Sequence, residues 1–117
     1  NCINQKVRHN MTRITFFKQN NLYLGFEVSG HTGKDDYGKD LLCAQISTVA
    51  QLAVVGIDEI EKNASFREIS DGFLKIMVSE QKAKEEKIQY LFKTCLYSFK
   101  SIIEGEEKFA KLEVKNV

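Results

Sequence analysis

The sequence predicts an α+β domain: a mostly antiparallel sheet with two helices, in the order ββαββαβ. Three observations carry this. Two alternating apolar runs flank Asn20-Asn21, and two more flank Asp71-Gly72, both pairs of turn-forming residues. After each pair comes a long stretch whose apolar residues have helical rather than strand spacing. A short alternating run around Ala110, Leu112 and Val114 closes the chain.

Taken in order, residues 1–10 show no periodicity and precede Met11, so they read as a disordered extension or a cloning remnant, with residues 11–117 as one domain. Thr12–Lys18 is β-branched and aromatic, a strand. In Leu22–Ser29, alternation puts Leu22, Leu24, Phe26 and Val28 on one face and Tyr23, Gly25 and Glu27 on the other. Leu41–Ile60 is apolar almost all round, which predicts a central helix covered on several sides, by a sheet or a second subunit. Asn63 is a fair stop. Phe66–Ser70 and Phe73–Ser79 form the second hairpin. A second helix follows from about Gln81 to Glu104, with Ile88, Leu91, Phe92, Cys95, Leu96, Phe99, Ile102 and Ile103 as its apolar stripe. Gly105 ends it.

With 117 residues, 43% hydrophobic and 28% charged, the chain fits one globular core. A formal charge of +1 argues against a dedicated nucleic-acid binder, so no direct nucleic-acid partner is expected. No apolar run reaches the roughly 20 residues of a bilayer span, and no secretory signal is evident; the expectation is no membrane and a cytoplasmic location. Cys2, Cys43 and Cys95 are odd in number and widely spaced, which favours reduced thiols over a disulfide framework.

The chemistry concentrates between Gly30 and Cys43. This stretch holds His31, one of two histidines, and three of the seven glycines, Gly30, Gly33 and Gly38. Asp40 is placed to cap the helix, which puts Cys43 at its third residue. A helix start offers free N–H groups and partial positive charge, both favouring thiolate. His31, at a strand end, can accept the thiol proton. The pattern is a Cys/His nucleophile site, with Gly33, Tyr37 and Gly38 in a polar loop, residues 32–39, that gates it.

Blander readings exist for each residue. Cysteine is among the most buried residue types, and Cys95 fits plain packing. Asp40 serves as a cap, or it orients His31. Ser47, one turn beyond Cys43, lines the site or back-bonds to its own helix. The glycines lack the spacing of a phosphate loop, and one thiol and one histidine beside Asp35 and Asp36 make a poor zinc set. No cofactor and no metal are therefore expected. Two other functions remain open: a non-enzymatic ribosome- or RNA-associated module, and a thiol redox sensor with Cys95 as the resolving cysteine.

Val28-Ser29-Gly30-His31, then Tyr37-Gly38-Lys39-Asp40-Leu41-Leu42-Cys43-Ala44, then Ser47, resembles the signature of the bacterial ribosomal-processing cysteine proteases called Prp. The order ββαββαβ agrees over about residues 11–117. The resemblance implies a cysteine endopeptidase that removes an N-terminal extension from large-subunit ribosomal protein twenty-seven, cutting after a pair of aromatics. By position it makes Cys43 the nucleophile and His31 the base. Asp40 and Ser47 become supporting residues, and Gly30 structural or anion-stabilising. It further implies a homodimer, a ribosomal-protein N-terminal peptide as partner, and a loop over the cysteine that orders on substrate.

Overall fold

Five strands, β1 (Thr12–Gln19), β2 (Leu22–Ser29), β3 (Ser65–Ser70), β4 (Phe73–Val78) and β5 (Ala110–Asn116), form one sheet in the order β3-β4-β2-β1-β5. The computed structural model describes residues 11–30, 41–60, 65–70 and 72–117. Every strand pairing is antiparallel except β1 with β5, which is parallel. The helices are α1 (Leu41–Val55), a short α2 (Glu80–Ala83) and α3 (Glu86–Ile103).

Both hairpins turn where expected. Gln19 pairs with Leu22, leaving Asn20 and Asn21 as a two-residue loop with φ of 52° and 66°. Two consecutive positive φ values define a type I′ turn, whose twist matches the strands it joins. Ser70 pairs with Phe73 across the second turn.

The face assignment of β2 is corrected by a bulge. Phe17 pairs with Gly25, but Lys18 pairs with Tyr23, so one residue of β2 is extra there. Alternation breaks at that point. Phe26 and Val28 keep the core face, Tyr23 joins them, and Leu22 and Leu24 are only half-buried. Beside the bulge β4 comes very close: a Cβ on Gly25 would lie 2.0 Å from the Ile76 carbonyl oxygen.

The core lies between one sheet face and the two long helices. Phe16 and Phe26, cross-strand partners, have ring centroids 4.9 Å apart, and Phe99 of α3 meets Phe26 edge-on at 5.4 Å. Phe92 completes the cluster, T-shaped against Phe26 at 6.2 Å. Such edge contacts add about 0.5–1.5 kcal/mol per pair beyond the area they bury.

The helices depart from expectation in three ways. First, the α-helical geometry of α1 stops at Val55 and continues as a π-helical turn over Gly56–Ile60. Together, 41–59 form a 19-residue stretch of mean hydropathy 1.6, as long and apolar as a membrane span, so the sequence reading undercounted this run. Secondly, the described residues of this one chain cover α1 on one face only, leaving the other for a second subunit to cover. Leu42, Cys43, Ile46, Ser47, Ala50 and Ala53 are buried, while Leu52 and Val55 are 60% and 52% exposed. Thirdly, the second helix is two. Ser79 caps α2, its side chain accepting the Lys82 N–H at 3.1 Å, and the chain breaks at Lys84-Glu85 before α3 begins.

Candidate active site

Strand β2 ends against two neighbours. The Gly30 N–H donates to the Gly72 carbonyl at 2.9 Å, tying the end of β2 to the β3–β4 turn. Gly30 has φ +80°, and a Cβ there would lie 2.6 Å from the Met11 carbonyl oxygen. Only glycine fits both the backbone angle and the space. Its place is therefore structural, and it sets where the chain departs toward residue 31.

Helix α1 begins at Leu41, so Cys43 is its third residue, inside the first turn. The first turn of a helix carries backbone N–H groups without intrahelical partners, at the positive end of the helix dipole. Cys43 is only 1% exposed, buried against the core although it stands at the helix start. It is also disulfide-bonded, so the expectation of reduced thiols does not hold for it.

One turn on, Ser47 is 8% exposed and its Oγ has no hydrogen-bond partner among the described residues. The back-bonding reading is thereby ruled out for Ser47; Thr48, next to it, does back-bond, donating to Ala44 O at 2.9 Å. A buried hydroxyl with no partner costs roughly 1–3 kcal/mol, and this one lies on the same buried face of α1 as Cys43. Sequence spacing placed Ser47 beside Cys43 but gave no signal of its unsatisfied state.

His31, Gly33, Tyr37, Gly38 and Asp40 lie outside the described residues. Of the eight candidates, then, the structure places Gly30 at the end of β2 and Cys43 with Ser47 on the buried face of α1. Among the described residues no group of three His, Cys, Asp or Glu stands together as a metal set.

Cys95 is a free thiol, 4% exposed in the α3 stripe, and burial pushes its pKa up to about 11. A thiol so protonated at neutral pH is a poor partner in exchange chemistry. It packs in the core, and the redox-sensor reading loses its resolving cysteine.

Solved structures share this fold. SMU.848 from Streptococcus mutans superposes with TM-score 0.78 at 24% identity, covering 92% of this chain and 97% of its own. The ribosomal processing protease Prp from Staphylococcus aureus, in complex with a covalently linked product peptide, gives 0.75 at 22% identity, covering 90% and 100%. The same protease with a substrate peptide gives 0.69 at 21%, again covering 90% and 100%. No curated protein matches the chain in sequence. The sequence model of the family described as cysteine protease Prp matches residues 11–111, from Met11 at the head of β1 to the opening of β5. With that match running from the first strand to the last, through the helix that carries Cys43, the chain belongs to the Prp family of cysteine proteases.

Proposed function

We propose that this protease removes an N-terminal extension from large-subunit ribosomal protein twenty-seven, in the cytoplasm, with Cys43 as nucleophile and His31 as base. The observation that carries the reading is the position of Cys43 in the first turn of α1, within a chain of this family. The relative from Staphylococcus aureus is a ribosomal processing protease with bound product and substrate peptides, which supports a peptide substrate here.

A thiol reductant first opens the Cys43 disulfide, itself becoming oxidised. His31 takes the Cys43 proton, and the thiolate forms a C–S bond to the scissile carbonyl carbon. The oxyanion is held by N–H groups at the α1 start, a contribution typically of about 2.7–4 kcal/mol per donor. Collapse breaks the C–N bond as imidazolium His31 protonates the leaving amine, and water then hydrolyses the thioester.

Asp40 caps α1 or orients His31. Ser47 offers its hydroxyl to the thiolate or to bound peptide, Gly30 fixes the approach of residue 31, and the loop with Gly33, Tyr37 and Gly38 gates entry. A homodimer is supported by the exposed Leu52 and Val55 of α1, an apolar surface a second copy can cover.

Mass spectrometry of the ribosomal protein's N-terminal peptide tests this, using reduced wild type and Cys43→Ala. Cleavage after the aromatic pair by wild type alone is expected. Equal cleavage by both proteins, or by neither, overturns the assignment.

A further inference from the structure

Charge is unevenly spread along this chain. Against a formal total of +1, residues 87–103 carry Lys87, Lys93 and Lys100 and no carboxylate. These residues are nearly all of α3, whose buried side is taken by Ile88, Phe92, Cys95, Leu96 and Phe99. On its other side Tyr90 and Tyr97 are 77% and 64% exposed, seven residues and so about two turns apart on one stripe. Lys93 falls between them, and the Lys100 ammonium lies 5.4 Å from the centroid of the Tyr97 ring.

Two open hollows follow this side of the helix and share Tyr90 and Lys93. One, of about 820 Å³, extends past Tyr97 to Ser98 and Ser101. The other, of about 690 Å³, extends past Lys84 and Lys87. Glu86 is the one carboxylate lining either hollow among the described residues. Lys87 is partly offset by Glu85 at 3.8 Å, which leaves Lys84 and Lys93 as the main cations.

We propose that this face of α3 binds single-stranded RNA. Two exposed ring faces with cations between and beside them match the demands of an unpaired strand, whose bases stack while its phosphates seek positive charge. The helix spans about 27 Å, enough for a short strand of about four nucleotides. An acidic peptide would use the lysines but not two separated rings. The near-neutral total charge, which argued against a dedicated nucleic-acid binder, averages this face with the acidic turns on either side of it. The rings and cations of this face belong to α3, with Val49 of α1 at the edge of the larger hollow, and the proposal does not rest on peptide hydrolysis.

Fluorescence anisotropy with a labelled oligouridylate of about 12 nucleotides tests it at low salt. Wild type and Cys43→Ala should bind alike, with a log–log salt slope of about −2 for Lys84, Lys93 and Lys100. Lys93→Gln should flatten that slope by about 0.7. Tyr90→Ala with Tyr97→Ala should weaken binding at least tenfold without changing the slope, and phenylalanine at both positions should restore it. The proposal fails if wild type does not bind, if the double alanine variant binds like wild type, or if polyglutamate binds as tightly as the oligouridylate. It fails equally if that variant splits a dimer in sedimentation while RNA affinity stays unchanged.

Discussion

Gln89 of α3 closes both backbone groups of Tyr23 in β2: its Oε1 accepts the Tyr23 N–H at 2.9 Å, and its Nε2 donates to the Tyr23 carbonyl at 2.8 Å. The same Nε2 donates to the Ala83 carbonyl at 2.8 Å, at the end of α2. Tyr23 stands at the bulge, where the ladder to β1 is irregular and backbone groups need another partner. One carboxamide thus fastens the bulge and the α2–α3 break together. Gln89→Leu should cost about 3 kcal/mol, since it leaves several buried backbone groups unpaired. Gln89→Glu should be similarly damaging at neutral pH and milder in acid, where the carboxyl regains a donor. Urea unfolding of the three proteins at two pH values checks both outcomes.

Ser47→Ala should leave thermal stability unchanged or raise it, because the hydroxyl it deletes is buried without a partner. Peptide cleavage should nevertheless fall, at least tenfold if the hydroxyl contacts thiolate or substrate. Thr12 supplies the control: its Oγ1 is likewise buried, on β1, with no hydrogen-bond partner among the described residues. Thr12→Val should be neutral or stabilising and leave cleavage intact. A Ser47→Ala variant as active as wild type would reduce Ser47 to packing.

Cys95 makes stability fall at alkaline pH. Burial raises its pKa to about 11 in the folded state, whereas an unfolded thiol titrates near 8.5. Between those values the unfolded chain loses the proton while the folded chain keeps it, so each rise in pH favours unfolding. The loss begins near pH 8.5, levels above about 11, and amounts to about 3 kcal/mol. Cys95→Ala, though less stable at neutral pH through lost packing, should show a flatter decline over that window. Parallel slopes for the two proteins would contradict the assignment.

Thiol labelling should depend on reduction. Without reductant, iodoacetamide should modify native protein slowly at every position described, since Cys43 is disulfide-bonded and Cys95 buried. After reduction Cys43 should react ahead of Cys95, because the helix start favours its thiolate and burial suppresses that of Cys95. Peptide mapping by mass spectrometry gives the order directly.

Gly30→Ala should cost about 1–3 kcal/mol and impair cleavage together, since the added methyl meets the Met11 carbonyl and the backbone angle is left-handed. Gly25→Ala should be worse for folding, because its Cβ would overlap β4. Thermal melts and cleavage assays of both variants distinguish the two effects.

Local chemistry made much of this legible. Asn20-Asn21 and Asp71-Gly72 announce their turns because few other residues tolerate a left-handed backbone, and the α3 stripe shows because one face of that helix is fully buried. Cys43 was legible because its helix start follows from the residues before it. What sequence hid depends on distant partners. The β2 bulge needs β1 and Gln89 to exist; alternation alone put Tyr23 on the wrong face. The π turn at Gly56 lies where Leu91 of α3 approaches within 3.2 Å of a Cβ position, a contact 35 residues away. The burial of Cys43 likewise comes from tertiary packing, which an amphipathic pattern cannot report in a helix apolar almost all round.

The parallel pairing of β1 with β5 has a consequence for how the molecule comes into being. Thr12 finds Ala110, and Lys18 finds Asn116, across nearly the whole described chain. During synthesis β1 emerges early and meets β2 at once, but its other edge stays bare until the strand that comes last in the order has left the ribosome. Closing so long a loop is slow, and meanwhile an edge with Phe16 and Phe17 is open to other chains. The framework of the sheet is thus complete only once β5 has been made, and a chain cut before Ala110 keeps a bare, aggregation-prone edge on β1.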